Sequence, residues 1–307
     1  MRRPAVDVVV PFAGSDEELA DLRARLEGLR LGASDSLTIV DNRPHGGGRD
    51  VHGVVRAPEV QSSYYARNRG AAGGQGEWIV FVDADLEVAP DLIDRYFEEA
   101  PQADTAVLIG EIETTPTSQT AVARYGSLRR HLNNESAAKP GWEYAQTANA
   151  AVRRDAFEAV GGFRGHLRSG GDADLAFRLV ARGHGHERRR EARVRHPPRS
   201  TLAAMVRQFA RYGSGSQWLH ERYPGFAPPR PLPGLVLWLA KAGPKALLVA
   251  AGGDRDRALV VALDPVVYLA TELGRFLPNA RRTSRSATAR HVMRVLRDRR
   301  RATRRSQ

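Results

Sequence analysis

The 307-residue sequence predicts an α/β fold: one domain on a mixed, mostly parallel sheet, with a helical extension at its C-terminal end. Short apolar runs alternate with segments of helical periodicity, an order typical of parallel strands joined by right-handed crossovers. The apolar fraction, 42%, suffices for one large domain with appendages or for two small domains. A proline-rich stretch, 224–233, then separates this pattern from two longer apolar segments.

The first strand is predicted at Val6–Phe12, and Pro11 ends it. A helix over 17–30 follows, because its leucines recur at spacings of three and four, with Ser15 or Asp16 as the N-cap. Further strands are predicted at 37–40, 51–55, 78–82, 106–111 and 148–152, and loops at 46–48 and 134–141. Further helices are predicted over 64–74, 90–100, 118–133, 154–160 and 170–183.

The helix over 170–183 is expected to begin with Asp172 at the N-cap and to end at Gly183. Its buried stripe is predicted to contain Leu175, Leu179 and Val180.

The apolar run WIVFV, residues 78–82, ends on Asp83-Ala84-Asp85. Successive strand residues point to opposite faces, so the two carboxylates are predicted to point the same way, with Cα atoms about 6–7 Å apart. Ligands of open α/β sheets bind at the carboxyl ends of strands, and paired carboxylates there favour Mg²⁺ or Mn²⁺ that also contacts substrate phosphates. The alternative is a strand end followed by an Asp helix cap.

Several classes of protein are excluded or disfavoured. The chain has no cysteine, so disulfides, thiolate metal sites and a cysteine nucleophile are absent. Neither GxGxxG after the first strand nor GxxxxGK[ST] occurs, which disfavours a dinucleotide dehydrogenase and a P-loop NTPase. The first apolar run is too short for a secretory signal and Asp7 interrupts it, so a cytoplasmic protein is expected.

Five segments over about residues 5–215 resemble, in order, the family 2 glycosyltransferases. They are VDVVVPF, VDN, ARNRGAAGGQGEWIVFVDADLEV, TANAAVRRDAFEAVGGF and GGDADLAFRLVARG. The resemblance implies the GT-A fold, a single Rossmann-like nucleotide-binding domain over 1–223. It also implies metal-dependent transfer of a sugar, with inversion, from a UDP-, GDP- or dTDP-linked donor to an acceptor hydroxyl, with Mn²⁺ or Mg²⁺ as cofactor.

The resemblance also implies roles on the donor side. Pro11 and Phe12 match the lip of the base-binding pocket, and Asp41 matches the acidic residue that binds the base or ribose. Arg67 and Asn68 match the segment before the DxD strand, where Arg67 could neutralise phosphate. A turn aspartate and an exposed helix residue are the alternative interpretations of Asp41 and Arg67.

By the same resemblance, Asp83 and Asp85 match the DxD pair, with Asp85 the direct metal ligand. His196 matches a histidine that completes the metal or diphosphate site, although a surface turn residue is an equal alternative. Asp172 matches the general base, which takes the acceptor's proton; the alternative is a simple helix cap. The family usually has Glu where Gly171 stands here.

Two weaker signals follow. Residues 208–212, QFARY, are loosely similar to the Q-x-x-R-W motif, with Arg211 toward phosphate, but a plain amphipathic helix explains them equally. Arg178 is predicted to pair with Asp174, four residues before it.

The predicted extension, 224–280, contains the apolar segments Leu232–Ala251 and 258–277. Each is long enough to span a bilayer but carries charge in mid-segment, so interfacial helices or a packed helical pair are predicted instead. The tail, 281–307, has eleven arginines and one aspartate, which is ten of the twelve net positive charges. This pattern favours peripheral contact with the anionic inner face of a cell membrane and a glycan or lipid-linked acceptor, rather than nucleic acid.

Two other functions stay open at this point. One is a non-catalytic protein that binds nucleotide-sugars or an anionic surface. The other is a nucleotidyltransferase, which is disfavoured because the loop after the first strand lacks Lys and Arg until Arg23.

Overall fold

The computed structural model describes residues 3–44, 53–115, 118–130 and 142–280. The predicted loops 46–48 and 134–141 and the tail 281–307 lie outside these residues. The strands are β1 Val6–Phe12, β2 Ser36–Asp41, β3 Val54–Arg56, β4 Trp78–Val82, β5 Glu87–Val88, β6 Thr105–Thr114, β7 Asn149–Arg153 and β8 Gly185–His196. The helices are α1 Asp16–Leu26, α2 Ser63–Ala71, α3 Leu92–Tyr96, α4 Ala121–Arg129, α5 Arg154–Ala159, α6 Gly171–Val180, α7 Leu202–Arg222, α8 Leu232–Ala251 and α9 Arg255–Gly274.

The described strands form one mixed sheet in the order β3-β2-β1-β4-β7-β6-β8-β5. The half that contains β3, β2, β1 and β4 is parallel. Strand β7 runs antiparallel to both of its neighbours, β4 and β6, whereas β6 and β8 are parallel. The carboxyl ends of β1 and β4 therefore meet at one edge of the sheet, where ligands of α/β proteins bind.

The core lies on both faces of this sheet. Successive residues of a strand point to opposite faces, so Val8 and Val80 pack in one apolar layer while Val9 and Phe81 pack in the other. All four are fully buried. This two-sided burial explains why the central strands are almost continuously apolar.

The N-cap residues of α1 and α6 can be compared with the predicted ones. Ser15 is the N-cap of α1: its hydroxyl accepts from Glu18 N, and the Glu18 side chain accepts from Ser15 N. For α6 the prediction is wrong, because the N-cap is Gly170, with a left-handed φ of 82°. Asp172 lies instead in the first turn of α6.

The predicted buried stripe of α6 is only partly correct. Leu175 and Leu179 are buried, but Val180 is 52% exposed. The helix ends at Val180, so this residue points past the edge of the apolar layer.

The last two helices of the described chain, α8 and α9, pack against each other and against earlier helices of the domain. Helix α9 packs on α7 and α4, and α8 packs on α9. Arg124 pairs with Asp256, and the Tyr125 hydroxyl donates to Asp264 over 2.9 Å, which fastens α9 to α4. Helix α8 remains largely uncovered, with Leu247 and Leu248 more than 70% exposed.

Candidate active site

A cleft of about 1030 Å³ opens at the carboxyl ends of β1 and β4, with α6 and α7 on its other side. Most of the predicted site residues line it: Pro11, Phe12, Arg67, Asp83, Asp85, Asp172, His196 and Arg211. Segments that are far apart in sequence therefore converge on one cavity. Asp41 and Asn68 are the predicted residues that the lining of this cleft does not include.

The chain turns directly after β4, so the extended geometry predicted for Asp83 and Asp85 is wrong. Leu86 N donates to Asp83 O over 3.4 Å, which closes a turn around Asp85. The two carboxylates consequently face different cations. Asp83 pairs with Arg67. Burial in the cleft raises the pKa of Asp83, and the charge of Asp85 adds to this effect, against the opposing attraction of Arg67.

Asp85 lies between His196 and Arg199. Its Oδ2 is 3.4 Å from His196 Nε2 and 3.7 Å from Arg199 Nη2. Burial alone would raise the pKa of Asp85, but the hydrogen bond and charge of His196, with the charge of Arg199, lower it. A carboxylate that stays ionised and is 45% exposed can bind a cation from the cleft.

His196 ends β8 and is only 5% exposed, so the interpretation as a surface turn residue is wrong. Its Nε2 faces Asp85, whereas its Nδ1 is buried without a hydrogen-bond partner among the described residues.

Arg67 is buried in α2, so the interpretation as an exposed helix residue is also wrong. Its guanidinium lies over the rings of Tyr64 and Phe163, 5.7 and 5.9 Å from their centroids. The charges of Asp83 and Asp172 raise the pKa of Arg67 against the burial that would lower it. A permanent cation thus lies near the carboxylates of Asp83 and Asp172.

The Asp172 carboxylate faces the cleft and not the helix terminus. Its Oδ1 accepts from the Thr147 hydroxyl over 3.1 Å. The phenol of Tyr64 lies beside it: burial, together with the charge of Asp172, raises the pKa of Tyr64 well above its usual value. Because Gly170 is the N-cap, the interpretation of Asp172 as a simple helix cap does not fit.

Gly171 has a steric reason to be glycine. A Cβ there would lie 2.8 Å from the Tyr64 ring, closer than van der Waals contact allows. Any larger residue here, glutamate included, would require the Tyr64 ring to move.

We therefore expect Gly171→Ala to destabilise the fold by about 1–3 kcal/mol, the usual cost of overpacking. The matched control is Gly234→Ala in α8, where an added Cβ meets only Pro231 Cγ, at 3.9 Å. The control should be neutral or stabilising by up to about 1 kcal/mol, because alanine favours the helix. Urea unfolding of the two variants measures the difference; equal stability would show that Tyr64 moves aside freely.

A buried ion cluster supports α6 on the side away from the cleft. Asp174, with no exposed surface, pairs with Arg178 over 2.8 Å, as predicted, and with Arg164 over 3.2 Å. The Tyr223 hydroxyl donates to Asp174 over 2.8 Å, and burial together with this carboxylate raises the pKa of Tyr223 to about 12. The cluster joins α6 to the end of α7.

The two predicted residues outside the cleft lining both make internal contacts. Asp41 pairs with Arg43 over 2.8 Å, and Arg43 lies over the Phe12 ring, 5.4 Å from its centroid. Asn68 donates to Phe163 O over 2.7 Å and accepts from Phe163 N over 2.9 Å. Asn68 therefore fastens α2 to the turn that supports Arg67.

The pair of Asp41 with Arg43 predicts a pH effect. Burial alone would raise the pKa of Asp41, but the hydrogen bonds and charge of Arg43 lower it. A lowered folded-state pKa means that ionised Asp41 stabilises the fold above its unfolded pKa of about 3.9. This stabilising contribution is lost as the pH falls through the pKa that Asp41 has in the folded protein.

Asp41→Asn should therefore lower the free energy of unfolding by about 1–3 kcal/mol at pH 7, the range for hydrogen bonds to charged groups, and by less at pH 3. Urea unfolding at both pH values measures this. Asp16→Asn is the control, because Asp16 binds the same Arg43 but is 77% exposed. A loss that is equal at both pH values would contradict the interpretation.

Sequence reasoning missed several residues that contact or line the site, and four of them are Tyr64, Thr147, Arg168 and Arg199. Tyr64 lies two residues before the ARN segment, but nothing in the sequence indicates that it packs against Gly171. The other three approach the cleft from separate loops, so tertiary packing alone brings them there.

No group of three or more acidic or histidine side chains in the described ranges is arranged to bind a metal by itself. Asp85 and His196 nevertheless give adjacent oxygen and nitrogen donors on the open cleft. Such a partial set fits an ion that completes its coordination with substrate phosphates and water.

Comparison with known proteins identifies the family. The family model of glycosyl transferase family 2 matches residues 48–161, which include Arg67, Asp83 and Asp85. Glycosyltransferase AglE of Haloferax volcanii is 28% identical over 233 residues, covering 71% of this chain and 76% of that protein. These matches support a family 2 glycosyltransferase.

One further relative and one solved structure extend the comparison of this glycosyltransferase. A pre-mycofactocin glycosyltransferase of Mycobacterium tuberculosis is 26% identical over 267 residues; the match covers 84% of this chain and 56% of that protein. The mannosyltransferase PcManGT from Pyrobaculum calidifontis, solved with GDP-Man and Mn²⁺, superimposes with a TM-score of 0.57 at 16% identity, over 89% of this chain and 87% of that one. The fold is GT-A, as predicted.

Proposed function

We propose that this glycosyltransferase is a metal-dependent, inverting enzyme that transfers a sugar from a nucleotide-sugar to an acceptor hydroxyl. The observation that supports this is the convergence of Asp83, Asp85, His196 and Asp172 on one cleft. Carboxylates for the diphosphate end and a separate carboxylate for the acceptor are the groups that an inverting displacement needs.

The donor is proposed to lie along the ends of β1 and β4, with its base against Phe12. Asp41 would contact the base or ribose, which requires Arg43 to turn away from it. Arg67 and Arg211 line the path of the diphosphate, and the Arg67 charge, balanced by Asp83, lowers the cost of bringing phosphate there.

Asp85 and His196 are proposed to bind Mn²⁺ or Mg²⁺ together with the diphosphate. A bound divalent ion would stabilise the charge of the leaving nucleoside diphosphate. Arg199, 3.7 Å from Asp85, adds a further cation at this end of the cleft.

Asp172 is proposed as the general base. A base must lie within hydrogen-bond reach of the proton that it takes, and the position of the carboxylate matters first. Thr147 and Tyr64 fix this carboxylate at the cleft surface. The acceptor would then enter between α6 and α7, where Leu219 and Phe226 line the cleft.

The acceptor is proposed to be lipid-linked or a cell-envelope glycan, at the inner face of a membrane. In the described part of the chain, α8 is the one helix whose length and apolarity would allow it to cross a bilayer. Its exposed leucines, with Lys241 and Lys245 on the same helix, suit an interfacial position beside anionic lipid. Helix α8 begins six residues after the cleft-lining Phe226.

The proposed reaction is tested by release of nucleoside diphosphate from UDP-, GDP- and dTDP-sugars, each with Mn²⁺, with Mg²⁺ and with EDTA. One donor should be hydrolysed slowly in a metal-dependent way. A hydrolysis rate that is unchanged in EDTA would contradict the proposed metal dependence. Absence of both turnover and calorimetric binding for every donor would contradict the proposed reaction.

Membrane contact is tested by co-sedimentation with phosphatidylglycerol or phosphatidylcholine vesicles. We expect the full chain to bind phosphatidylglycerol vesicles, and a chain that ends at Ala280 or carries Leu247→Asp with Leu248→Asp to bind much less. Equal sedimentation of all three proteins would exclude a role for the tail and for α8.

A further inference from the structure

The segment just before Asp172 is fastened by the residues that follow α9. The Asn279 side chain accepts from Ser169 N and donates to Ser169 O, each over 3.0 Å. The Asn279 carbonyl accepts from Arg168 N over 2.7 Å, and Leu167 forms an antiparallel bridge with Ala280. The end of the extension thus pairs with residues 167–169 like a short strand.

Helix α7 closes the other side of this segment. A Cβ on Gly215 would lie 2.8 Å from the Ser169 carbonyl carbon, so the two backbones are in close contact. The Ser214 hydroxyl also donates to Asn279 Oδ1 over 3.3 Å. Both the oxygen and the nitrogen of the Asn279 side-chain amide therefore form hydrogen bonds, and the side chain is nearly inaccessible to solvent.

Two glycines separate this clamp from Asp172. Gly170 adopts a left-handed conformation, and Gly171 lies under the Tyr64 ring. Glycine adds backbone freedom that other residues lack. The position of the Asp172 carboxylate therefore depends on the contacts that fix the chain on each side of Gly170 and Gly171. On the N-terminal side, Asn279 supplies both side-chain hydrogen bonds to Ser169.

We infer that Asn279 is a positioning residue for Asp172 and that the catalytic unit extends through residue 280. This inference rests on the proposed role of Asp172. It places the end of the catalytic machinery well beyond residue 223, the boundary that the sequence predicts. Removing the extension from residue 232 onward would therefore also remove the contacts that fix residues 167–169.

The test is Asn279→Ala in the full chain. Misplacing a catalytic group by about 1 Å can cost about 100-fold, so we expect kcat for donor hydrolysis to fall by about 10–100-fold. The Kd of UDP or GDP with Mn²⁺ should stay within about twofold, because the hydrogen bonds of Asn279 join it to Arg168, Ser169 and Ser214 and not to Asp85 or His196. Asn279→Asp keeps the acceptor for Ser169 N but places a carboxylate oxygen against Ser169 O, and should lower kcat at least as much as Asn279→Ala.

Asp256→Asn is the matched control, because Asp256 lies in the same extension, has a 43% exposed side chain and pairs with the exposed Arg124 rather than with residues 167–169. Amide hydrogen exchange supplies a readout that needs no turnover: Asn279→Ala should speed exchange at Ser169, and Asp256→Asn should not. Unchanged exchange at Ser169, or a kcat loss no larger than that of the control at equal melting temperature, would overturn the inference. Failure of the proposed reaction is distinct, since the wild type itself would then release no nucleoside diphosphate.

Discussion

Replacing Asp172 by asparagine is expected to lower kcat for sugar transfer and for donor hydrolysis by about 10²–10⁴-fold, the usual contribution of a general base. Asparagine has nearly the shape of aspartate and can still accept from the Thr147 hydroxyl, so the fold and the cleft should be preserved. The Kd of the nucleoside diphosphate with Mn²⁺ should change little, because the proposed diphosphate site lies at Asp85. Steady-state kinetics and calorimetry on the same preparation separate the two effects.

Asp21→Asn is the matched control for this substitution. Asp21 also borders the cleft, but it is exposed and belongs to α1, away from Asp172. We expect its kcat to equal that of the wild type. If Asp172→Asn retained wild-type kcat, another group would have to be the base.

Asp85→Ala is expected to lower kcat/KM by about 10²–10³-fold, because loss of the ion removes several kcal/mol of stabilisation of the leaving group. Addition of Mn²⁺ or EDTA should then make little difference to the residual rate. Asp85 is 45% exposed, so the stability of the fold should change by less than about 1 kcal/mol.

Asp83→Ala gives the contrasting result. Arg67 is buried and loses its hydrogen-bond acceptor in this variant, which should lower the free energy of unfolding by about 1–3 kcal/mol, the cost of an unsatisfied buried donor. Thermal unfolding of the two variants distinguishes the partly exposed carboxylate from the one that balances a buried cation. Equal destabilisation would mean that both aspartates mainly serve the fold.

Much of the fold could be predicted because its signals are local. Strand β4 has the predicted bounds, since a buried apolar run between glycines and aspartates has few alternatives. Strand β8 was not predicted, because it is rich in charge and only alternate residues such as Ala192 and Val194 are buried. It lies next to the short edge strand β5, where one face of the sheet meets solvent.

The contacts of the site residues could not be predicted to the same extent. The turn at Asp83 separates two carboxylates that an extended chain would align, and each one then binds a cation from a distant segment. The pairing of Asp41 with Arg43 likewise depends on how the following loop folds back. Segment order therefore indicates which residues share the cleft, whereas packing decides what each side chain contacts.

The most direct test of the account is a crystal structure with Mn²⁺ and the nucleoside diphosphate of the active donor, with the ion located by its anomalous scattering. The account predicts a peak within coordinating distance of Asp85 and of the diphosphate, in the cleft that Asp172 faces. An ion and nucleotide bound elsewhere, or a nucleotide in this cleft with the ion away from Asp85, would contradict it.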